Sequence, residues 1–172
     1  ENFIGASSAT WLRDVAKVLN RRFDPACRDR PLVILAKHGL PVEEWKPLLL
    51  WHMTRDEFLV RDFLETWLFS EYDSGTFRVR TEDVAKYLAD IGKRGGVTEH
   101  VWSEQTTKRV AAGLLKMAVH FGLLRGSVAK EFVSSPLPES SFLYLLHAMH
   151  DEKLSPSKLI SSPGWRLFLM RS

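Results

Sequence analysis

Apolar positions recur at helical spacing along most of the chain, and that pattern predicts nearly every element. From Ser8 or Thr10 to Arg22, Trp11, Leu12, Val15, Ala16, Val18 and Leu19 share one face while Arg13, Lys17, Asn20 and Arg21 share the other. Asp24-Pro25 breaks that helix. A second begins at Pro31 and stops before Gly39, with Leu32, Val33, Leu35 and Ala36 inward. Pro41 opens a short helix through Trp45. Pro47 lacks an amide donor and clashes with a preceding turn, so it should start or kink another helix, to about Met53. Thr54 to Glu57 reads as a capping box, two side chains satisfying free donors at the start of a helix that runs to about Phe69. Phe58, Leu59, Phe63, Leu64, Trp67 and Leu68 should face inward from it.

Tyr72-Asp73-Ser74-Gly75 is a turn, and Thr76 to Arg80 alternates apolar with basic residues, as a short strand does. Thr81 then caps a helix whose inward side is Val84, Ala85, Leu88 and Ile91 and which ends at Gly92. A glycine-containing basic loop, residues 93 to 102, leads to the best-defined helix of the chain. Ser103 is its N-cap and Gly122 its left-handed stop. At 100° per residue, Val110, Ala111, Leu114, Leu115, Met117, Ala118 and Phe121 make its core face. Gln105, Lys108, Arg109, Ala112, Lys116 and His120 make an outer stripe with cations and no acid; Val119 fits neither set. Leu123-Leu124, a turn at Arg125-Gly126 and a β-capable run from Val128 to Val133 carrying Lys130 follow. Helix, turn and short strand is the order at the back of a winged helix-turn-helix, although an ordinary helix-turn-helix joins its two helices by only about 3–4 residues. Pro136 and Pro138 start a helix to about His150 with Phe142, Leu145, Leu146 and Met149 inward. Ser155-Pro156 and Ser162-Pro163 start short turns of helix, the last carrying Trp165, Leu167, Phe168 and Leu169.

The expected fold class is therefore all-α: a multi-helix bundle with helix-turn-helix-like elements and one short β wing. At 172 residues it is one helical domain, 1–172, or two subdomains sharing a core, a helical half at 1–75 and a winged-helix-like half at 76–172. With 45% hydrophobic and 26% charged residues the chain is neither disordered nor fibrous. Its 24 cations against 21 anions leave a net charge of only +3, so nucleic acid is permitted and local clustering has to decide. The single Cys27 makes no internal disulfide, which points to the cytoplasm, and no apolar run approaches the ~20 residues of a membrane span.

Motifs for enzymatic chemistry are missing: no phosphate-binding GxxxxGK[ST], no GxGxxG after a strand, no nucleophile elbow and no cysteine cluster for zinc. His147 and His150 share a helix face but lack a further clear ligand. Asp56 with Glu57, and Glu82 with Asp83, are first-turn acids complementing a helix dipole. The expectation is a non-enzymatic protein with no cofactor and no metal. The outer stripe has two readings, a solvated helix face or a recognition helix whose cations meet phosphates while Gln or Arg reads base edges.

Three stretches together resemble the BrxA family: LPVEEWKPLLLWHMTRDEFLVRDFLETWLF, VWSEQTTKRVAAGLLKMAVHFGLLRG and SPGWRLFLM. These are small helical proteins encoded in BREX bacteriophage-exclusion loci, long treated as a domain of unknown function and in places labelled inner-membrane proteins. That label conflicts with a sequence that has no span. The resemblance implies an all-helical fold with helix-turn-helix elements beside basic loops, and DNA binding as an accessory to phage defence. It supplies no catalytic residues, it includes a similarity to antitermination-type RNA-binding folds, and it implies that members extend further at the C-terminus.

Taken with the residues, it predicts a cytoplasmic, monomeric protein that binds double-stranded DNA and works beside other BREX proteins. The candidate contacts are Gln105, Lys108, Arg109 and Lys116 on the stripe, Lys93, Arg94, Arg125 and Lys130 beside it, and Arg78 and Arg80 as a second edge. Two alternatives stay open. One is an interaction module docking a larger defence enzyme through Trp45, Trp51 or the Trp165 cluster. The other is RNA binding by exposed aromatics.

Overall fold

A computed structural model describes residues 5, 7–22, 29–93, 102–133, 136–151 and 155–171, the side chains of 19–22, 92, 93 and 151 excepted. The chain forms two compact units, 1–40 and 41–172, and it is mainly helical with one small sheet. The basic loop after Lys93, with Arg94 and His100, and the lone Cys27 lie outside the described residues.

The first unit holds α1 (Ala9–Arg22) and α2 (Arg30–Lys37). Ser8 caps α1 by accepting the Trp11 amide at 3.2 Å, and Pro31 occupies the first turn of α2. The expected inward faces are only half covered. Leu12, Val15, Leu32 and Leu35 are partly buried, whereas Trp11, Ala16, Val18, Val33 and Ala36 are exposed. Two short helices have too little surface between them to enclose a core.

The second unit begins with α3 (Val42–Asp56), one continuous helix where two were expected. Pro47 sits inside it. The helix is retained because Leu48, Leu50, Trp51 and Thr54 beyond the proline are all buried; Ser141 Oγ, itself fully buried on α8 (Glu139–Asp151), ties the two helices by donating to the Glu44 carbonyl at 2.9 Å. Thr54 is not an N-cap. Its hydroxyl donates back to the Trp51 carbonyl at 2.8 Å, and Glu57 (φ −109°, ψ 87°) breaks the chain between α3 and α4 (Phe58–Asp62) with no side-chain cap. The capping-box pattern fails because burying Thr54 in α3 wins over using it at the surface.

From α4 the chain runs through a π-helical stretch, Phe63–Leu68, into α5 (Phe69–Asp73). Bonds from i to i+5 widen each turn by about one residue, so residues five apart come to lie one above the other. Phe63, Leu64 and Leu68 are all completely buried, while Phe58, at the start of α4, is exposed. Trp67 stacks on Phe63 at 5.5 Å. The stretch packs against a 3-10 turn at Pro163–Phe168, whose Trp165 is buried with its indole N–H donating to the Leu159 carbonyl of α9 (Pro156–Ile160) at 2.8 Å.

After the turn at Gly75 come β1 (Arg78–Val79), α6 (Thr81–Lys93), α7 (Glu104–His120), β2 (Leu124–Arg125) and β3 (Lys130–Phe132). Val79 is buried but Phe77 is exposed, so the strand is shorter than its alternation suggested. Arg80, not Thr81, is the cap of α6: its amide is bonded by Asp83 Oδ2 at 2.9 Å and its carbonyl accepts the Asp83 and Val84 amides. The helix continues through Gly92 to Lys93. The three strands form an antiparallel sheet in the order β1-β3-β2. α6 packs on α7 through Val84, Tyr87, Leu88, Ile91, Ala111, Leu114, Leu115 and Ala118, all part of the main core cluster.

Candidate nucleic-acid interface

The local chemistry of α7 follows its sequence closely. Ser103 Oγ accepts the Thr106 amide at 3.2 Å, and Gly122 takes φ +77° to end the helix. Ala111, Leu114, Leu115 and Ala118 are buried, with Val110, Met117 and Phe121 packed at their edge. Val119 is half-buried, between the two sets. Gln105, Lys108, Arg109, Ala112, Lys116 and His120 lie on the outer side, with Lys108, Arg109, Ala112, Lys116 and His120 following one another at helical spacing, so the outer stripe exists as one face.

That face is not free of acid. Lys108 Nζ lies 2.6 Å from Glu104 Oε1, one turn earlier. Their mutual hydrogen bond holds the Glu104 carboxyl below its usual range and raises the Lys108 ammonium, which Glu82 of α6 raises further through its charge. Lys108 is thus compensated. Arg109 and Lys116 have no hydrogen bond or ion pair to the described residues.

The sheet brings the second group together. Glu131 is the cross-strand neighbour of both Arg78 and Arg125. Arg78 donates to its Oε1 through Nε at 3.0 Å and Nη2 at 2.8 Å, and Arg125 Nη2 donates to Oε2 at 3.3 Å. These bonds, Arg78's first, hold the Glu131 carboxyl below its ordinary range. Two predicted phosphate contacts therefore share one carboxylate that the sequence pattern did not single out. The hairpin register placing Arg125 opposite Glu131 is a findable signal, but the pairing of β1 across 53 residues is not.

Lys130 closes the β2–β3 turn by donating to the Ser127 carbonyl. Gly126 stands in that turn at φ +106°, and Val128 at its tip is 83% exposed. Arg80 is exposed at the start of α6. Between the start of α6, the outer face of α7 and the turn lies a cleft of about 320 Å³, lined by Thr81, Ala112, Leu115, Lys116, Val119, His120, Gly126, Ser127 and Lys130. Of the ten predicted contacts, Lys116 and Lys130 meet here, Arg78 and Arg125 meet at Glu131, and Lys108 meets Glu104. Gln105, Arg109 and Arg80 stand apart, while the Lys93 side chain and Arg94 lie outside the described residues.

The other candidates resolve differently. Trp51 and Trp165 are buried core residues and Trp45 is partly buried, so the first two offer no docking surface. His147 and His150 share no metal-ligating cluster with other described residues. No helix among the described residues is long and apolar enough to cross a membrane.

The BrxA family model matches residues 1–148. The chain belongs to the BrxA family. It is accordingly a BREX-associated protein, and two of the three sequence stretches that resemble the family fall wholly inside the match. No curated protein and no solved structure matches it. The BrxA match includes α1 to α7, the whole sheet and most of α8, so the candidate interface lies within it.

Proposed function

We propose that this BrxA chain is a non-enzymatic, cytoplasmic, monomeric DNA-binding accessory of BREX phage defence, acting beside other BREX proteins. In this reading α6, α7 and the β2–β3 hairpin are a winged helix-turn-helix with α7 as its recognition helix. The observation that carries it is the order helix, helix, hairpin, with β1 completing a β1-β3-β2 sheet, and Lys116 of the outer face of α7 lining the same cleft as the hairpin turn. A helix face joined to a hairpin suits a groove with flanking phosphates, where cations position the protein and Gln105 or Arg109 meets base edges.

The test is fluorescence anisotropy of a labelled duplex titrated at several salt concentrations. Saturable binding whose log affinity falls with log salt, by about 0.9 per phosphate neutralised, is the expected result. The variant Lys108→Ala/Arg109→Ala/Lys116→Ala should weaken binding while leaving the fold intact. Absence of binding at low salt, or undiminished affinity in that variant, would refute the assignment. Exposed Phe77, with the Arg78 guanidinium 5.1 Å over its ring, supports a second reading in which single-stranded RNA stacks there. Competition by structured RNA against the duplex separates the two.

A further inference from the structure

We propose that the cleft between the start of α6, the outer face of α7 and the β2–β3 turn is a phosphate-binding subsite, held by Lys116 and Lys130 with His120 and Thr81 at its edge. The proposal rests on the DNA-binding reading only for the source of the phosphate.

Three clefts differ in what lines them. One, beside Trp67 and Tyr87, mixes Glu71, Asp83 and Asp90 with Arg78 and Lys86. Another, beneath Phe121 and Phe168, is apolar with Glu43 and Lys46 at its mouth. The cleft at α7 alone among these three has cations and no acid in its lining. An anion entering either of the others meets carboxylates; here it meets ammonium groups.

The walls suit a small tetrahedral anion. Lys116 and His120 are one turn apart on α7, so they project from the same face. Ala112, one turn before Lys116, and Gly126 across the cleft have almost no side chain, which leaves space between the cations. Lys130 is held in place by its bond to the Ser127 carbonyl, which uses one of three ammonium donors and leaves two to give. Thr81 and Ser127 contribute hydroxyl donors to the lining. Three other predicted cations are less available: Lys108 is bonded to Glu104, and Arg78 and Arg125 to Glu131. A phosphate replacing those carboxylates must first break ion pairs, whereas Lys116 has none to break among the described residues.

The phosphate could be a phosphodiester of duplex backbone or a free phosphomonoester. The full chain is titrated with sodium phosphate against a sodium chloride control, following amide shifts of Thr81, Gly126, Ser127 and Lys130. In parallel, duplex affinity is measured across salt for the wild type, Lys116→Ala/Lys130→Ala, and the remote control Lys46→Ala/Lys158→Ala.

Saturable phosphate-specific shifts, lost in the cleft variant, are expected, together with a fall of about 1.8 in its salt slope, from two contacts at about 0.9 each. Shifts with an unchanged duplex slope would support the subsite with a monoester as its ligand. Ala112→Glu places a carboxylate in the cleft from an exposed, helix-tolerant position and should abolish the shifts without unfolding the protein. No phosphate-specific shift in the wild type overturns the subsite, and duplex binding by the same protein would leave the DNA-binding reading standing. Failure of the wild type to bind duplex removes that reading, while the phosphate titration still decides the cleft.

Discussion

Three glycines in the helix and wing of the candidate interface should respond to alanine in a fixed order, and the reasons separate cleanly. Gly113 lies in the middle of α7, exposed, and a Cβ added to it meets nothing within 4 Å. Its replacement removes backbone freedom from the unfolded chain at no steric cost, so Gly113→Ala should stabilise by about 0.5–1 kcal/mol. Gly122 has the same open surroundings but φ +77°. Only the left-handed conformation is penalised there, so Gly122→Ala should destabilise by about 1–2 kcal/mol. Gly126 has φ +106°, and a Cβ added to it would lie 2.6 Å from the Ala129 carbonyl oxygen. That is about 1 Å inside ordinary contact, against backbone that cannot rotate away. Its cost adds a collision to the conformational term, and the β2–β3 turn must open to relieve it.

Gly126→Ala should therefore lose more stability than Gly122→Ala, or lose the turn outright. Urea unfolding followed by circular dichroism gives the order, with unchanged slopes confirming the same cooperative unit. Amide shifts of Lys130 and Glu131 report the turn. A Gly126→Ala protein with wild-type stability and wild-type shifts at both residues would refute the reasoning.

Ser103→Ala removes the α7 cap seen at the Thr106 amide and should cost about 1 kcal/mol by the same unfolding assay. Burial raises the Glu65 carboxyl above 4.5 against the pull of Arg61 and Arg166, so its contribution is present below that value and lost as pH rises through the folded pKa. Glu65→Gln should accordingly gain stability at pH 7 and little at pH 4; equal effects at both would refute the cause. The Glu131 carboxyl is held low by Arg78 and Arg125, so its contribution is present above about 4.5 and lost as pH falls through the folded value. Glu131→Gln should flatten that acid limb of a pH–stability curve and, by releasing two arginines, steepen the salt dependence of duplex binding.

Most helices are legible in the sequence because their cores are local. The stripe of α7, its serine cap and its glycine stop all come from residues within a turn of each other, and the same holds for Val84, Leu88 and Ile91 on α6. What periodicity misses comes from competition between local and tertiary terms. Thr54 and Glu57 have the spacing of a cap, but burying Thr54 against the core extends α3 past it. Pro47 has the chemistry of a helix start, yet the buried residues that follow it keep the helix whole. Phe58, inward by its spacing, is exposed where α4 starts after the break at Glu57. For the interface, the face of α7 is readable while its charge state is not read from the stripe alone. Glu104 and Lys108 have the i,i+4 spacing of an ion pair, a signal that a stripe drawn from Gln105 onward leaves aside. The Arg78–Glu131 pair depends on a strand pairing that no local pattern encodes.

Those pairings change how the basic composition should be weighed. A chain with 24 cations and 21 anions has almost enough acid to neutralise every lysine and arginine, so a count of cations along one helix says little about its field. What matters is where acids fail to reach. On α7 they reach Lys108, through Glu104 and Glu82; on the sheet Glu131 reaches both arginines. Exposed pairs of this kind contribute little to stability, so their disposition leaves folding almost unconstrained. It does constrain binding, because a polyanion gains fully only from cations with no partner to give up. Among the described residues Lys116 and Arg109 satisfy that condition, and Lys130 gives up only a neutral carbonyl. Among the described residues, charge removal at Lys116 should weigh more on duplex affinity than the same change at Lys108, although both lie on one face and look equivalent in the sequence.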